Sequence, residues 1–320
     1  MQLQRKGRPQ RMARIVSIGE CMVELSRGGD GRFSLAFGGD TFNTAIYIAR
    51  TGLPVAYATV LGDDPYSTGI RSLALLEGVG TDLIGAASGR MPGLYIIETS
   101  AAGERNFWYW RERAPARELF ELPVGETVAA AMRIASAIYF SGVTLSLYSA
   151  AGLDRFAQAL IAARSNGVRI VMDSNYRPRG WDADNERARA VFERFWRLAD
   201  MALPTFDDEQ ALWGDRHVDE TISRLAAFGV PEVVVKNGAA GAVILSQAEV
   251  TEVPCPAALT PLDTTAAGDS FNAGYLSARI RGAPPRDAAR LGHRLAGAVI
   301  QHRGAIVPRS ATEPVLGKRL

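Results

Sequence analysis

The segment Asp263–Gly274 combines an acidic side chain with small residues in an order that suits phosphoryl transfer. Ala266, Ala267 and Gly268 leave their backbone N–H groups uncovered where a long helix is predicted to begin. Amides at the amino terminus of a helix bind phosphate and stabilise negative charge that develops in a transition state. Asp269 follows directly and has the chemistry to accept the proton of an attacking hydroxyl. These four residues are the candidate catalytic residues.

A second segment, Phe37–Asn43, places two polar side chains after adjacent glycines. Gly38 and Gly39 permit a tight turn that delivers Asp40 and Asn43 to the start of a helix, and both side chains suit sugar hydroxyls. Taken by itself, this segment is better explained as a glycine turn with a capping aspartate. A capped Ala/Gly helix packed on a neighbour is the structural alternative for the first segment. The occurrence of both segments in one chain favours a ligand site.

The composition is that of a globular protein without a strong electrostatic field. The chain has 320 residues, 47% of them hydrophobic, and a formal net charge of +2. Basic residues cluster at Arg5–Arg11 in a tail, residues 1–13, that we expect to be disordered, so we expect no nucleic-acid partner. We find no apolar run of membrane-spanning length and no secretory segment, and we expect a cytoplasmic protein with no membrane partner. The spacing of the two cysteines and three histidines disfavours a zinc site or a histidine base.

Strand patterns and helix patterns alternate along most of the chain. Strands are predicted at Arg14–Gly19, Val55–Leu61, Ala137–Phe140, Val168–Met172, Ala199–Leu203, Glu232–Lys236 and Ala242–Leu245. Helices are predicted at Thr41–Arg50, Tyr66–Glu77, Ser149–Arg164, Asn185–Arg197, Gly268–Arg281 and Pro285–His302. This alternation predicts an α/β fold in which helices cover both faces of a parallel sheet.

One region interrupts the alternation. Short strands are predicted there at Glu20–Leu25, Arg32–Phe37, Leu94–Thr99 and Arg105–Trp110. The last two flank Ser100–Gly103 and therefore predict a β-hairpin. A small sheet built from about 20–37 and 92–111 is either a lid over a site or an edge extension that packs or dimerises.

The two polar segments together resemble the signature motifs of the ribokinase-like carbohydrate kinase family, the phosphofructokinase B type. Gly38–Asn43 reads Gly-Gly-x-x-x-Asn and is followed by Gly52 and Gly62 at the family's spacing. Asp263–Asp269 is similar to the family's second motif, Asp-Thr-x-small-Ala-Gly-Asp. The resemblance implies a ribokinase-like three-layer α/β/α fold with a mainly parallel central sheet and a small β-sheet lid.

The resemblance covers residues 14–309 and implies one kinase domain at residues 14–320. It implies ATP and Mg²⁺ as cofactors, ATP and a small sugar or sugar acid as partners, and is compatible with a homo-oligomer formed through the lid. Further segments are similar to the family members that phosphorylate 2-keto-3-deoxygluconate, namely Ile18–Leu25, Gly39–Arg50, Pro92–Thr99, Tyr109–Arg111, Asp173–Arg179, Asp207–Gly214 and Arg303–Arg309.

The resemblance also implies roles for individual positions. Asp269 would be the general base, and the amides of Ala266, Ala267 and Gly268 would hold the transferring phosphoryl group. The implied substrate-binding residues are Gly38, Gly39, Asp40, Asn43, Tyr95, Tyr109, Arg111, Asn175, Arg177 and Asp269. The implied ATP-binding residues are Lys236, Asn237, Gly238 and Gly241, together with Ala267 and Gly268.

An acidic substrate agrees with the arginines among these positions. A keto-acid carboxylate is planar and matches the fork of a guanidinium group, so Arg111 and Arg177 are candidates for binding it. Tyr109 and Arg111 share one face of the predicted strand at period two. The alternative for Arg177 and Arg179 is an ion pair with a surface acid, which we expect for Arg179.

Two positions depart from the family pattern. Ala266 stands where many members have glycine, but its methyl group leaves the amide available, so we expect little loss. Thr205 and Asp208 stand where many members have Asn-x-x-Glu in the segment that supports the metal. Asp208 could hold Mg²⁺ through a water molecule, or could serve only as an acid at a helix start.

The predicted function is an ATP-dependent phosphotransferase that acts on the 6-hydroxyl of 2-keto-3-deoxygluconate. No G-x-G-x-x-G follows the first strand and no P-loop motif occurs, which disfavours a dinucleotide oxidoreductase and a P-loop kinase. Two alternatives stay open: a relative that acts on fructose, ribose or a nucleoside, and a non-catalytic sugar-binding protein on this fold. Asp269 and the turn before it argue against the second, because a pure binder needs neither.

Overall fold

The computed structural model describes residues 14–99, 105–256 and 259–317, without the side chains of residues 99 and 105. The predicted tail at 1–13 and the predicted hairpin turn at Ser100–Gly103 lie outside these ranges. The strands are β1 (Ile15–Ile18), β2 (Met22–Arg27), β3 (Phe33–Gly38), β4 (Val55–Leu61), β5 (Ile84–Ala86), β6 (Leu94–Thr99), β7 (Arg105–Trp110), β8 (Ala137–Ser141), β9 (Arg169–Asp173), β10 (Met201–Ala202), β11 (Glu232–Lys236), β12 (Ala242–Ser246) and β13 (Glu249–Val253). The helices are α1 (Asp40–Arg50), α2 (Pro65–Leu76), α3 (Val124–Met132), α4 (Gly142–Leu147), α5 (Ala150–Ser165), α6 (Asn185–Trp196), α7 (Phe206–Trp213), α8 (Val218–Ala227), α9 (Ala267–Ile280), α10 (Pro285–Val299) and α11 (Arg309–Leu316).

The large sheet has the strand order β13-β12-β11-β10-β9-β8-β1-β4-β5. Its strands run parallel from β11 to β5, whereas β12 and β13 form antiparallel pairs at one edge. The prediction of a mainly parallel central sheet is therefore confirmed. Strand β13 was not predicted from the sequence, because Glu249–Val253 is a largely polar segment at an exposed edge and lacks the apolar run of a buried parallel strand.

Two hydrophobic cores lie on opposite faces of the large sheet, because neighbouring residues of a strand point to opposite sides. In β1, Val16 belongs to one core and Ile15 to the other. The first core is closed by helices α3, α5, α6 and α8, and the second by α1, α2, α9 and α10. This arrangement is the predicted three-layer α/β/α architecture.

Helices α9 and α10 approach each other more closely than side chains would allow. A Cβ atom on Gly274 would lie 2.9 Å from Gly292 Cα, and one on Gly292 would lie 2.8 Å from the Phe271 ring. Overpacking of this kind forces backbone shifts. The glycine contact therefore fixes the position of α9, whose first turn contains Asp269.

A separate four-stranded sheet has the order β3-β2-β6-β7, with β2 and β6 parallel and the other pairs antiparallel. We call it the lid sheet. Its inner face carries the buried side chains of Met22, Glu24, Tyr95 and Ile97. The β6–β7 pairing confirms the two strands of the predicted hairpin. No described helix is both long enough and apolar enough to span a bilayer.

Candidate functional site

The predicted site residues gather where the parallel strands end. Lys236 ends β11, and Asn175 follows the end of β9 by two residues. Helices α1 and α9 begin at the same place, so that Asn43 near the start of α1 contacts Asp269 near the start of α9. Ligands of open α/β sheets bind beyond the carboxyl ends of the strands. The topology therefore assembles residues that lie more than 200 positions apart in sequence.

Asp269 has the surroundings of a general base. Its Oδ2 accepts a hydrogen bond of 2.8 Å from Asn43 Nδ2, and its backbone carbonyl accepts one of 3.3 Å from Thr44 Oγ1. The pKa of Asp269 is raised from its usual value to about 7, first of all by burial and then by the nearby carboxylate of Asp40, whereas the Asn43 hydrogen bond opposes the shift. A carboxylate with a pKa near the working pH is well suited to general base catalysis.

The turn before Asp269 has a left-handed residue. Ala266, which precedes α9, has φ 59° and ψ 17°, a conformation that favours glycine. Ala267 and Gly268 form the first turn of the helix, whose amide groups have no intrahelical acceptor. These amides therefore lie at a helix start, where that of Ala267 donates to the Thr264 carbonyl at 3.2 Å, and their binding of an anion stays a prediction. Alanine at position 266 therefore strains the backbone, and this strain was not predicted from the sequence.

Lys236 is directed inward, beneath this turn. Its buried Nζ donates hydrogen bonds to Asp173 Oδ1 at 3.1 Å and to Asn272 Oδ1 at 3.0 Å. A Cβ atom on Gly268 would lie 3.6 Å from the same Nζ. Asn272 Nδ2 in turn donates to Asp173 Oδ2 at 2.9 Å. The predicted ATP-binding lysine thus places its positive charge beside the amide turn, held by two residues that the sequence analysis did not select.

Two features of the sequence indicate Asn272 and Asp173 as site residues. Asn272 lies three positions after Asp269 on α9 and hence on the same helical face. Asp173 is a buried acid directly after an apolar strand, a position that requires a partner.

The loop after β11 requires its glycines. Gly238 has φ +51° and begins a 3-10 turn that ends at Ala240. Gly241 has φ +101°, and a Cβ atom there would lie 2.4 Å from the Val253 carbonyl oxygen. Asn237 N donates to the Gly241 carbonyl at 2.8 Å and closes the loop. The predicted nucleotide-binding residues therefore form one tight backbone turn beside Lys236.

The predicted sugar-binding residues that do not belong to the lid sheet lie together opposite that sheet. Asn175 Nδ2 donates to Asp40 Oδ2 at 2.6 Å, next to the Asn43–Asp269 pair. A Cβ atom on Gly39 would lie 2.1 Å from the Glu20 carbonyl oxygen, so that only glycine allows this close approach. Gly38 is the last residue of β3 in the lid sheet itself, and a Cβ atom on it would lie 3.0 Å from the Tyr95 hydroxyl.

The inner face of the lid sheet presents aromatic hydroxyl groups above these residues. Tyr95 and Tyr109 pair across β6 and β7, with ring centroids 5.9 Å apart. The Tyr95 hydroxyl donates to the buried carboxylate of Glu24. Burial raises the pKa of Tyr109, while Arg111, Arg177 and Arg179 oppose this shift, first of all Arg111. Three arginines therefore surround this end of the site.

Two of these arginines are paired with carboxylates. Arg111 forms an ion pair with Glu20, which is buried and whose pKa is raised by burial although Arg111 opposes the shift. Arg177 Nη1 lies 2.9 Å from Asp208 Oδ1. The expectation that Arg179 pairs with a surface acid is wrong. Its Nη1 donates instead to the Phe107 carbonyl of the lid sheet at 2.9 Å, and no carboxylate of the described chain lies within 4 Å of it.

Asp208, the predicted metal-supporting residue, carries the ion pair with Arg177. The pKa of Asp208 is raised to about 6, mainly by burial, although Arg177 opposes the shift. Residues 14–99, 105–256 and 259–317 contain no group of three or more His, Cys, Asp or Glu that could hold a metal ion. Mg²⁺ bound with nucleotide phosphates commonly uses only one or two carboxylates and several waters. A single acid therefore fits this ion, and the role of Asp208 stays a prediction.

The profile of the family described as "pfkB family carbohydrate kinase" matches residues 12–312. The chain belongs to the pfkB family of carbohydrate kinases. It is 44% identical over 305 residues to the 2-dehydro-3-deoxygluconokinase of Dickeya dadantii strain 3937, covering 93% of this chain and 97% of that one. It is 42% identical over 306 residues to the enzyme of the same name from Escherichia coli K12, covering 93% and 98%.

Solved pfkB-type structures share the fold. A putative ribokinase II from Escherichia coli, in complex with ATP and Mg²⁺, superposes with a TM-score of 0.79 at 20% identity and covers 95% of this chain and 99% of that one. The predicted ribokinase-like fold and the predicted family are both confirmed. As a pfkB carbohydrate kinase, the protein is a phosphotransferase.

Replacement of Ala266 by glycine is expected to stabilise the protein. Glycine adopts φ 59° without the clash that alanine suffers, and we expect the free energy of unfolding to rise by about 1 kcal/mol. Ala267→Gly is the matched control, because residue 267 is helical and should lose about 0.5–1 kcal/mol. Urea unfolding measures both variants. Equal destabilisation of the protein by the two substitutions would contradict the inference that Ala266 is strained in its left-handed conformation.

Replacement of Asp269 by asparagine is expected to abolish turnover and leave binding of ATP and sugar largely intact. In the wild type, the deprotonated carboxylate must act as base, so kcat should rise with pH through about 7. A pH profile of kcat and isothermal titration of the variant measure these effects. A near-normal rate in the variant would exclude Asp269 as the base.

The same substitution should change stability in a pH-dependent way. The unfolded carboxyl ionises near pH 4, but the folded one ionises near 7, so the wild type loses stability as pH rises between these values. Asp269→Asn removes this loss and should be more stable than the wild type by about 1–3 kcal/mol at pH 8, but not at pH 4. Urea unfolding at both pH values provides the comparison.

Proposed function

We propose that this pfkB kinase transfers the γ-phosphoryl group of ATP to the 6-hydroxyl of 2-dehydro-3-deoxygluconate, also called 2-keto-3-deoxygluconate. The observation that carries the proposal is the half-buried Asp269, hydrogen-bonded to Asn43 and placed directly after an amide turn at a helix start. The near full-length similarity to two kinases named for this substrate supports the choice of the sugar acid.

Asp269 accepts the proton of the 6-hydroxyl as its oxygen attacks the γ-phosphorus. Asn43 orients the carboxylate through its hydrogen bond to Oδ2 and leaves Oδ1 for the substrate hydroxyl. The hydrogen bond between Asn175 and Asp40 orders the neighbouring polar groups, which suit the other sugar hydroxyls. Positioning of this kind supplies much of the rate in phosphoryl transfer, since the protein does little covalent chemistry.

The amide turn and Lys236 balance the charge of the transferring group. The N–H group of Gly268 would contact the phosphoryl group at the start of α9, whereas that of Ala267 donates to the Thr264 carbonyl, and the Lys236 ammonium lies beside the same turn. Fixed dipoles and charges in a site with little water are more effective than mobile ones. Asp173 and Asn272 hold the lysine in this place through two hydrogen bonds.

The loop Asn237–Gly241 is the proposed nucleotide site, since its glycine turn lets the backbone approach ATP beside Lys236. Asp208 would hold Mg²⁺ through water, as a hard oxygen ligand with a single negative charge. When bound, this ion neutralises charge on the phosphates. ATP use and the two free cysteines, Cys21 and Cys255, agree with a cytoplasmic location.

The outer face of the lid sheet is the proposed contact with a second copy of the chain. Register places Leu35, Leu25, Ile96 and Trp108 in one apolar row across all four strands. Leu35 and Trp108 are half exposed, and Phe33 and Trp110 extend the exposed apolar surface. A face without charge in its central row can pair with itself about a two-fold axis, which is the geometry of most homodimers.

The double substitution Leu35→Glu with Trp108→Glu should convert a dimer to a monomer, because it places like charges at the centre of the contact. Sedimentation velocity measures the change. Ile134→Glu is the control, since Ile134 is an even more exposed apolar residue but lies outside the lid sheet. A wild-type monomer, or an unchanged dimer in the double variant, would contradict the proposed contact.

Release of ADP with Mg·ATP tests the proposed reaction against 2-dehydro-3-deoxygluconate, its galactonate-derived epimer, fructose, ribose and adenosine. We expect kcat/KM for the keto acids to exceed that for the neutral compounds by at least about 100-fold, since a site built for a polar group rejects analogues that lack it. NMR of the product should show phosphate on C6. A preference for a neutral sugar, or no turnover by folded protein that binds ATP, would contradict the proposal.

A further inference from the structure

A cysteine and a histidine that the proposed reaction does not use lie beside the loop after β11. Cys255 follows the end of β13 by two residues, and His293 belongs to α10. The Cys255 Sγ atom lies 3.6 Å from His293 Nδ1 and 3.6 Å from the carbonyl oxygen of Gly238, which begins the 3-10 turn of that loop. An imidazole nitrogen and a carbonyl oxygen therefore lie at the same distance from one thiol.

The imidazole of His293 is held in the tautomer and orientation of a metal ligand. Its Nε2 lies 3.0 Å from the Val253 carbonyl oxygen, which can only accept, so Nε2 carries the proton and Nδ1 presents an electron pair to the thiol. The side chain is buried, and the Phe271 ring packs against it with ring centroids 5.0 Å apart. Histidines that bind metals commonly donate their other ring N–H to a backbone carbonyl in this way.

The spacing of these atoms fits a tetrahedral metal ion. Zn²⁺ binds thiolate sulfur at about 2.3 Å and histidine nitrogen at about 2.0–2.1 Å, which places the two donors about 3.6 Å apart at the tetrahedral angle. The observed distance between Cys255 Sγ and His293 Nδ1 is 3.6 Å. An oxygen ligand at about 2.0–2.2 Å gives a similar separation from sulfur, and the Gly238 carbonyl has it. Mg²⁺ prefers oxygen ligands alone and would not compete for the thiol.

The thiol is accessible and lies against the loop that we assign to the nucleotide. Cys255 is partly exposed, so that an ion can enter and water can complete its coordination. A Cβ atom on Gly241 would lie 2.4 Å from the Val253 carbonyl oxygen and 3.2 Å from the Cys255 nitrogen, so the two segments are in close contact. An ion that holds the Gly238 carbonyl therefore ties the nucleotide loop to the end of β13 and to α10.

We propose that Cys255, His293 and the Gly238 carbonyl bind Zn²⁺, and that the bound ion inhibits the kinase by weakening its affinity for ATP. The inhibitory part rests on the proposed function, since it takes Asn237–Gly241 as the nucleotide site. The ion forms a bond to sulfur and displaces the thiol proton to solvent. Burial raises the pKa of Cys255, but a metal cation deprotonates the thiol that it binds.

The inhibition follows from what the ion does to the loop. With the Gly238 carbonyl bound to the ion, the backbone of the loop can no longer adjust to the nucleotide, and the ion with its waters occupies space beside it. Structural zinc sites have four protein ligands, whereas this one has two side chains and a carbonyl, so the ion is exchangeable. The sequence does not indicate the site, because its two side chains lie 38 positions apart.

Titration with Co²⁺ in the absence of nucleotide tests the site directly. Co²⁺ accepts the tetrahedral geometry of Zn²⁺, and a thiolate bound to it gives an intense charge-transfer absorption. We expect this band in the wild type, its loss in Cys255→Ser, and a Kd raised at least about 100-fold in His293→Gln. Cys21→Ser and His302→Gln are the matched controls, because they remove a buried thiol and an imidazole elsewhere in the chain and should keep the band.

The effect on the nucleotide is measured as KM for Mg·ATP with and without free Zn²⁺ at saturating sugar acid. In the wild type, Zn²⁺ should raise this KM about tenfold, within the usual range of coupling between two sites, and Cys255→Ser should abolish the rise. Zn²⁺ that binds to ATP itself affects both proteins equally and cancels in the comparison. Isothermal titration with ATP should show the same difference without turnover.

Two outcomes would overturn the inference. Absence of the thiolate band in the wild type, or its persistence in Cys255→Ser, would mean that Cys255 and His293 form only a hydrogen bond. A thiolate band together with an unchanged affinity for ATP would refute the inhibitory role. Failure of the proposed function shows separately, as absence of ATP binding or of turnover of the acid in the metal-free wild type.

Discussion

A buried lysine connects the parts of this protein that must meet for phosphoryl transfer. Lys236 ends a strand of the large sheet, and its ammonium group lies between Asp173 at the end of another strand and Asn272 on α9. A buried ammonium is tolerated only with such partners, because its desolvation is costly. Three elements distant in sequence are thereby held in one relative position. The amide turn and Asp269 at the start of α9 depend on that position.

In the rest of the site, the charged and polar side chains are also held by partners. Asp269 is oriented by Asn43, Asp40 by Asn175, and Arg177 by Asp208. Each charged or polar group has one partner that fixes its direction and leaves further bonding capacity. Such preorganisation means that little rearrangement is needed when substrates arrive.

The fold and the catalytic segments could be predicted from the sequence because their signals are local. The strand before Gly19, the turn Ala266–Gly268 and Asp269 are each recognisable from a few adjacent residues. The pairing of side chains could not be predicted in this way. Whether Arg111 meets Glu20 or a substrate depends on two elements that are 91 positions apart. The left-handed conformation of Ala266 could not be predicted either, because an alanine in the sequence does not indicate a positive φ.

The glycine contact between α9 and α10 limits how this enzyme can diversify. Where two side chains clash, a smaller residue on one helix can compensate for a larger one on the other. Gly274 and the backbone of Gly292 touch with no side chain on either, so neither position has anything left to reduce. A second substitution at the facing glycine therefore cannot restore the packing. We therefore expect changes in substrate range to arise in the lid sheet and in the turn that carries Arg179. Surface side chains can change there without moving helix α9, which carries Asp269.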